Sequence, residues 1–200
     1  MSTTAALTPI APVDLAAERA ALGEALYDAV RRVLDSGKYV LGPEVEALER
    51  DFARMHGCAH GVAVGTGTDA LWLGLLAVGV KPCDSVVTSP FTFFASAASI
   101  ALMGATVRLA DVDYDTALLD VDKAEAAIDA RTTAILPVHL YGQLADVRAF
   151  RALCDKRKLA LLEDGAQAHG SLRDGFACGQ LGDAGTFSFY VTKNLGAAGE

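Results

Sequence analysis

Leu15, Leu22, Leu26, Val30 and Val33 recur at helical spacing among charged and small residues, and the pattern predicts one amphipathic helix over 14–35 that stops at Gly37. A second helix is predicted from Pro43 towards His56, with proline suited to a first helical turn and Val45, Leu48 and Phe52 turned inward. Beyond it, short apolar runs alternate with helical patterns. Strands are predicted at 61–64, 85–88, 106–109, 134–138, 159–163 and 186–189, and helices near 69–78, 94–103, 121–128 and 147–156. Strand and helix in alternation predict an α/β fold, a mostly parallel sheet with helices on both faces. There is no internal repeat or low-complexity tract. Residues 1–12, carrying Ser, Thr, Ala and Pro, are expected to form a flexible arm, and 13–200 a single domain.

Composition narrows the picture. With 52% hydrophobic and 21% charged residues, the 200-residue chain has ample material for a core, and a net charge of -8 argues against general nucleic-acid binding. No stretch is long and apolar enough to span a membrane, and no basic segment leads into an apolar run at the start, so a cytoplasmic protein is expected. Cys58, Cys83, Cys154 and Cys178 stand singly, which reads as reduced thiols rather than a disulfide framework. A metal site from His139, Asp164 and His169 lacks an ordered ligand pair and is not expected. Both histidines read as hydrogen-bonded core residues, with a place near substrate as the alternative.

Three segments carry chemistry. Asp164 ends an apolar run that reads as a buried parallel strand, and strand C-termini are where α/β sheets gather ligands. Taken alone, it could equally be a turn residue. Val62 to Trp72 reads as strand, turn and helix. The N–H groups of Gly67, Thr68 and Asp69 at that helix start are suited to an anion, although Thr68 or Asp69 could simply cap the helix, and the turn is neither a Walker loop nor G-x-G-x-x-G. Lys193 follows in a Gly-containing loop where a lone lysine would ordinarily be solvated. Considered together they suggest a pyridoxal 5'-phosphate site, which needs an amine for the cofactor's aldehyde, a carboxylate for its ring nitrogen and donors for its phosphate. Lys193, Asp164 and Ser188 are the candidates, with Gln167 placed to reach the phenolic oxygen.

Five stretches make the resemblance specific: Gly65-Thr-Gly-Thr-Asp-Ala-Leu71, Ser89-Pro-Phe-Thr-Phe-Phe-Ala-Ser96, Leu136-Pro-Val-His-Leu-Tyr-Gly-Gln143, Glu163-Asp-Gly-Ala-Gln-Ala-His-Gly170 and Phe187-Ser-Phe-Tyr-Val-Thr-Lys-Asn-Leu-Gly196. In that order they resemble the DegT/DnrJ/EryC1/StrS family of sugar aminotransferases, which have the large domain of fold-type-I pyridoxal phosphate enzymes. The resemblance implies that Lys193 bonds the cofactor, Asp164 pairs with its ring nitrogen and Gln167 faces its phenolic oxygen. It implies further that Ser188, Gly67 and Thr68 hold the phosphate while Phe93 stacks on the ring. Val191 stands where the family usually has proline, and Gly165 where alanine is common, so loop shape is what these departures touch. The chain reads as an N-terminal fragment of such an enzyme, ending before a smaller C-terminal domain. The implied reaction moves an amino group from glutamate or glutamine onto a nucleotide-linked keto-sugar, in a homodimer. The alternatives are a regulatory protein on the same fold, or a sugar dehydratase, which Lys193 disfavours because those relatives carry histidine there.

Overall fold

The computed structural model describes residues 12–198. The arm expected at 1–12 therefore lies outside the described residues, apart from its last position. The chain divides into two compact units, Met1–Glu46 and Ala47–Glu200.

In the first unit, the single helix expected over 14–35 is two. α1 spans Leu15–Leu22 behind Asp14, whose carboxylate accepts from the Ala17 N–H at 2.9 Å. α2 spans Glu24–Ser36 and ends at Gly37 as expected. The break is at Gly23, whose φ of 57° and ψ of -140° lie outside helical space. Apolar spacing alone does not register it, because Leu22 and Leu26 still fall one turn apart. Neither helix contains a buried residue. α3 (Pro43–Met55) begins at the predicted proline and runs on into the second unit.

The second unit is the expected α/β fold. α4 (Gly67–Ala77), β1 (Ser85–Thr88), α5 (Phe94–Leu102), β2 (Thr106–Leu109), α6 (Val121–Ala127), β3 (Thr132–Leu136), α7 (Val147–Arg157) and β4 (Ala160–Asp164) follow in sequence. A short hairpin, β5 (Leu172–Arg173) and β6 (Phe176–Ala177), precedes β7 (Ala184–Thr186). The main sheet has the order β2-β1-β3-β4-β7, and every pair in it is parallel.

Period-two alternation in the strands feeds two cores, one on each face. Val87, Ile135 and Leu161 pack with Phe150 and Leu153 of α7 and Ala124 of α6. Their neighbours Val86, Leu136 and Leu162 pack on the other face with Leu71 and Leu75 of α4 and Ile100 of α5. Asp120 and Asp146 start α6 and α7 by accepting from backbone N–H groups in the first turn.

Three strand expectations change. Residues 61–64 form no strand among the described residues: Val62 is 79% exposed, and the Ala63 N–H donates to the Glu49 carboxylate at 2.7 Å instead of to a ladder. The run at 186–189 is strand only up to Thr186, since β7 ends where it stops pairing with β4. The β5–β6 hairpin was not anticipated, although Asp174-Gly175, both at positive φ, is a two-residue hairpin turn signal.

Candidate active site

β4 divides its acids between the two faces. Leu161 faces the α6–α7 core and Leu162 the α4–α5 core, so Glu163 follows the first and Asp164 the second. Asp164 is 4% exposed. Its Oδ2 accepts from Ser96 Oγ of α5 at 2.7 Å, and its Oδ1 from the Ala166 N–H at 3.1 Å. Burial pushes the Asp164 carboxyl up; the Ser96 and Ala166 hydrogen bonds and the nearby His139 and Lys193 pull the other way.

Glu163, fully buried, turns to the opposite side. Its Oε1 accepts from the Gly182 N–H at 2.7 Å and its Oε2 from His139 Nε2 at 2.9 Å. The Ala145 N–H donates to His139 Nδ1 at 3.1 Å, so Nε2 carries the ring hydrogen that Glu163 receives. His139 is thus the hydrogen-bonded core histidine of the sequence reading. Its partner Glu163 was missed, since a second acid at a strand end looks like surface. The Cys178 thiol lies beside Glu163, and burial pushes it well above the usual thiol range. His139, Glu163 and Cys178 lie close enough together to bind a metal ion, but His139 and Glu163 are already engaged by each other and by backbone N–H groups.

The turn after β4 carries Gln167, whose Oε1 accepts from the Tyr141 N–H at 2.7 Å. That bond fixes the amide orientation and leaves its NH₂ as a donor. Tyr141 presents its N–H from a left-handed conformation, φ 55°, with its side chain 79% exposed. Gly165 could take the alanine usual at its position only if its neighbours shifted, because a Cβ there would lie 2.5 Å from Cys178 Sγ and 2.9 Å from the Phe187 ring.

β7 leads from Thr186, registered beside Asp164, into Phe187-Ser188-Phe189. Phe187 and Phe189 join Phe52, His56 and His169 in an aromatic cluster with centroid separations of 4.4–6.0 Å. Burial holds both imidazoles below their ordinary value. Ser188, between the two rings, lies against the start of α4: a Cβ on Gly67 would be 2.5 Å from Ser188 Cβ and 2.9 Å from its Oγ. Thr66 caps α4, its Oγ1 accepting from the Asp69 N–H at 3.0 Å. Of the three N–H groups expected to face an anion, Asp69 is therefore taken, leaving Gly67 and Thr68. The capping residue is Thr66 rather than Thr68 or Asp69.

Lys193 sits half-buried in a tight loop closed by Lys193 N–H to Tyr190 O at 2.7 Å and Ala197 N–H to Phe189 O at 2.8 Å. Its ammonium makes no ion pair among the described residues. Phe93 occupies the N-cap position of α5, one turn before Ser96, with its ring 71% exposed. The structure thus joins Gly67 to Ser188 by contact and ties the start of α5 to Asp164, with Gln167 on the turn that follows. These groups suit a flat, anionic, nitrogen-containing ring: donors at a helix start, a glycine that lets the Ser188 hydroxyl close on them, a buried carboxylate and an amine.

Among known proteins, the model of the DegT/DnrJ/EryC1/StrS aminotransferase family matches residues 20–200. A dTDP-3-amino-3,4,6-trideoxy-alpha-D-glucose transaminase of Micromonospora megalomicea is 49% identical over 175 residues, which cover 88% of this chain and 47% of that protein. A pleiotropic regulatory protein of Geobacillus stearothermophilus is 45% identical over 181 residues, 88% of this chain and 49% of that one. The solved structure of S. venezuelae DesV in complex with a ketimine intermediate superposes with a TM-score of 0.90 at 43% identity, over 93% of this chain and 50% of that one. The chain spans about half the length of the curated relatives it matches.

Proposed function

Because this chain belongs to the DegT/DnrJ/EryC1/StrS aminotransferase family, we propose that it carries the cofactor half of a nucleotide-sugar aminotransferase, with pyridoxal 5'-phosphate held by Lys193, Asp164, Gln167, Ser188, Gly67, Thr68 and Phe93. One observation carries the reading: the start of α4, Ser188 and the buried Asp164 lie on the same side of the sheet, at the C-terminal ends of its parallel strands.

Bound there, the cofactor supplies an aldehyde that condenses with amines and a protonated ring that takes up the electron pair left when a C–H bond breaks. The chain's own residues do the rest. Gly67 and Thr68 donate backbone N–H groups to the phosphate, and Ser188 adds its hydroxyl. Asp164 would hold the proton on the ring nitrogen as a carboxylate, the form that the Ser96 and Ala166 hydrogen bonds favour. Gln167 turns its NH₂ to the phenolic oxygen, and Phe93 covers one face of the ring. Lys193 Nζ would be the amine that holds the aldehyde and, when free, would carry a proton between two carbons of the substrate.

The amino donor in this reading is glutamate or glutamine, and the acceptor a keto-sugar carried on a nucleotide. Residues 13–200 act as the cofactor-binding domain of a cytoplasmic homodimer whose second subunit closes the site against water. A donor-by-acceptor panel on the full-length protein tests it. Amine transfer to a nucleotide keto-sugar supports the reading, whereas cofactor binding without donor turnover supports the second, regulatory one, which the similarity to the Geobacillus protein favours.

A further inference from the structure

Ser96 has no solvent exposure, lies on the inner face of α5 and reaches across to a residue 68 positions later in the chain. Its hydroxyl is 2.7 Å from Asp164 Oδ2 and 2.8 Å from Thr92 Oγ1. A carboxylate only accepts, so the single Ser96 proton goes to Asp164, and Thr92 must donate to Ser96. The result is a directed chain, Thr92 to Ser96 to Asp164. We propose that Ser96 is a positioning residue, anchored by Thr92, that fixes the Asp164 carboxylate in the orientation in which it meets the cofactor ring. This rests on Asp164 being the ring-nitrogen partner.

Two arguments carry the assignment beyond core filling. The first is spacing. Thr92, Phe93 and Ser96 belong to one turn at the start of α5, so the turn that presents an exposed ring also grips the carboxylate. Ser99, equally buried on the same helix, shows what a merely structural hydroxyl does there: it donates back to the Ser96 carbonyl at 3.1 Å.

The second is charge. Asp164 is buried, and burial favours its neutral form, which could not stabilise a protonated ring nitrogen. The groups that act on it are Ser96 and the Ala166 N–H by hydrogen bonding and His139 and Lys193 through space; Ser96 is the largest of those favouring the anion. A hydrogen bond to a charged group inside a protein is worth roughly tenfold or more in an equilibrium.

The test uses the full-length protein and two readouts. One is the titration of the Asp164 carboxyl, followed by carbon-13 NMR in cofactor-free protein. The other is the dissociation constant of pyridoxal phosphate. Ser96→Ala should move the Asp164 midpoint to higher pH and weaken cofactor binding about tenfold. Ser96→Thr should restore both, and Ser99→Ala should change neither. Thr92→Val, which spares the buried hydroxyl but removes its anchor, should give a smaller shift in the same direction, and it serves if Ser96 variants fold poorly. Ser96→Ala or Thr92→Val behaving as Ser99→Ala does in both readouts would overturn the proposal. Asp164→Asn separates the two levels: normal cofactor binding and turnover in that variant would remove Asp164 from the ring nitrogen, while the apo titration would still report whether Ser96 holds the carboxylate.

Discussion

Glu163 and Asp164 are consecutive and both buried, yet their carboxylates are held on opposite faces of β4, Glu163 by His139 at 2.9 Å and Asp164 by Ser96 at 2.7 Å. The alternation of a strand gives a pair of adjacent acids two separate sets of partners, and only Asp164 is assigned to the cofactor in the proposed function. The His139 backbone N–H also donates to the Asp164 carbonyl, just beyond the pair, at 2.9 Å.

Removing the His139 imidazole should be costly. His139→Ala leaves Glu163 buried with one donor fewer, and a loss of about 3 kcal/mol in stability is expected, because breaking a buried hydrogen-bonded charge is far worse than replacing it whole. Denaturant unfolding of the full-length protein measures it. A loss no larger than that of an exposed substitution would mean the pair is not structural.

Gly67→Ala probes the phosphate cradle. The new methyl would meet Ser188 Cβ at 2.5 Å, so the start of α4 and the Ser188 loop must part. Cofactor affinity should fall by about tenfold or more, the worth of a hydrogen bond to a charged group, alongside a stability loss in the cofactor-free protein of about 1–3 kcal/mol from the same overpacking. Unchanged affinity would place the phosphate elsewhere.

The Gly165 departure is explained by what it touches. Gly165→Ala should cost about 1–3 kcal/mol through overpacking against Cys178 and Phe187. Cys178→Ala should recover part of that loss, so the two changes are not additive, and a double-mutant cycle of unfolding free energies shows it. Strict additivity would mean that the Phe187 ring alone sets the constraint.

Much of this was legible in the sequence. The strand ends, the α4 start and the loops bearing Asp164, Gln167, Ser188 and Lys193 carry local signals of period, turn and residue type. What was not legible depends on partners distant in the chain. Ser96 sits in an Ala-Ser-rich helical run and reads as filler until β4 arrives beside it. Residues 61–64 have strand composition, but pairing is a property of two segments, and among those described none lies beside it. Gly23 breaks a helix whose apolar spacing continues unbroken across it. The Asp174-Gly175 hairpin is the exception: its signal was local and was passed over.

His56 and His169 give the fold a pH dependence. Burial lowers both imidazoles from 6.5, so the unfolded chain binds more protons than the folded one once the pH falls below that value. Their contribution to stability is intact above about pH 6.5 and is lost as the pH falls through that value towards the folded-state values. Urea midpoints should drop over that acid range, and His169→Phe should flatten the drop. Midpoints that rise with acidification would contradict the assignment.

The central claim is that Lys193 is the amine that holds the cofactor, in the same proposed site as Asp164, Gly67 and Ser188. Borohydride reduction of the full-length protein loaded with pyridoxal phosphate, followed by peptide mapping, tests it most directly. The account predicts the phosphopyridoxyl label on Lys193 and its loss in Lys193→Ala; a label retained in that variant, or found on another lysine in the wild type, would contradict it.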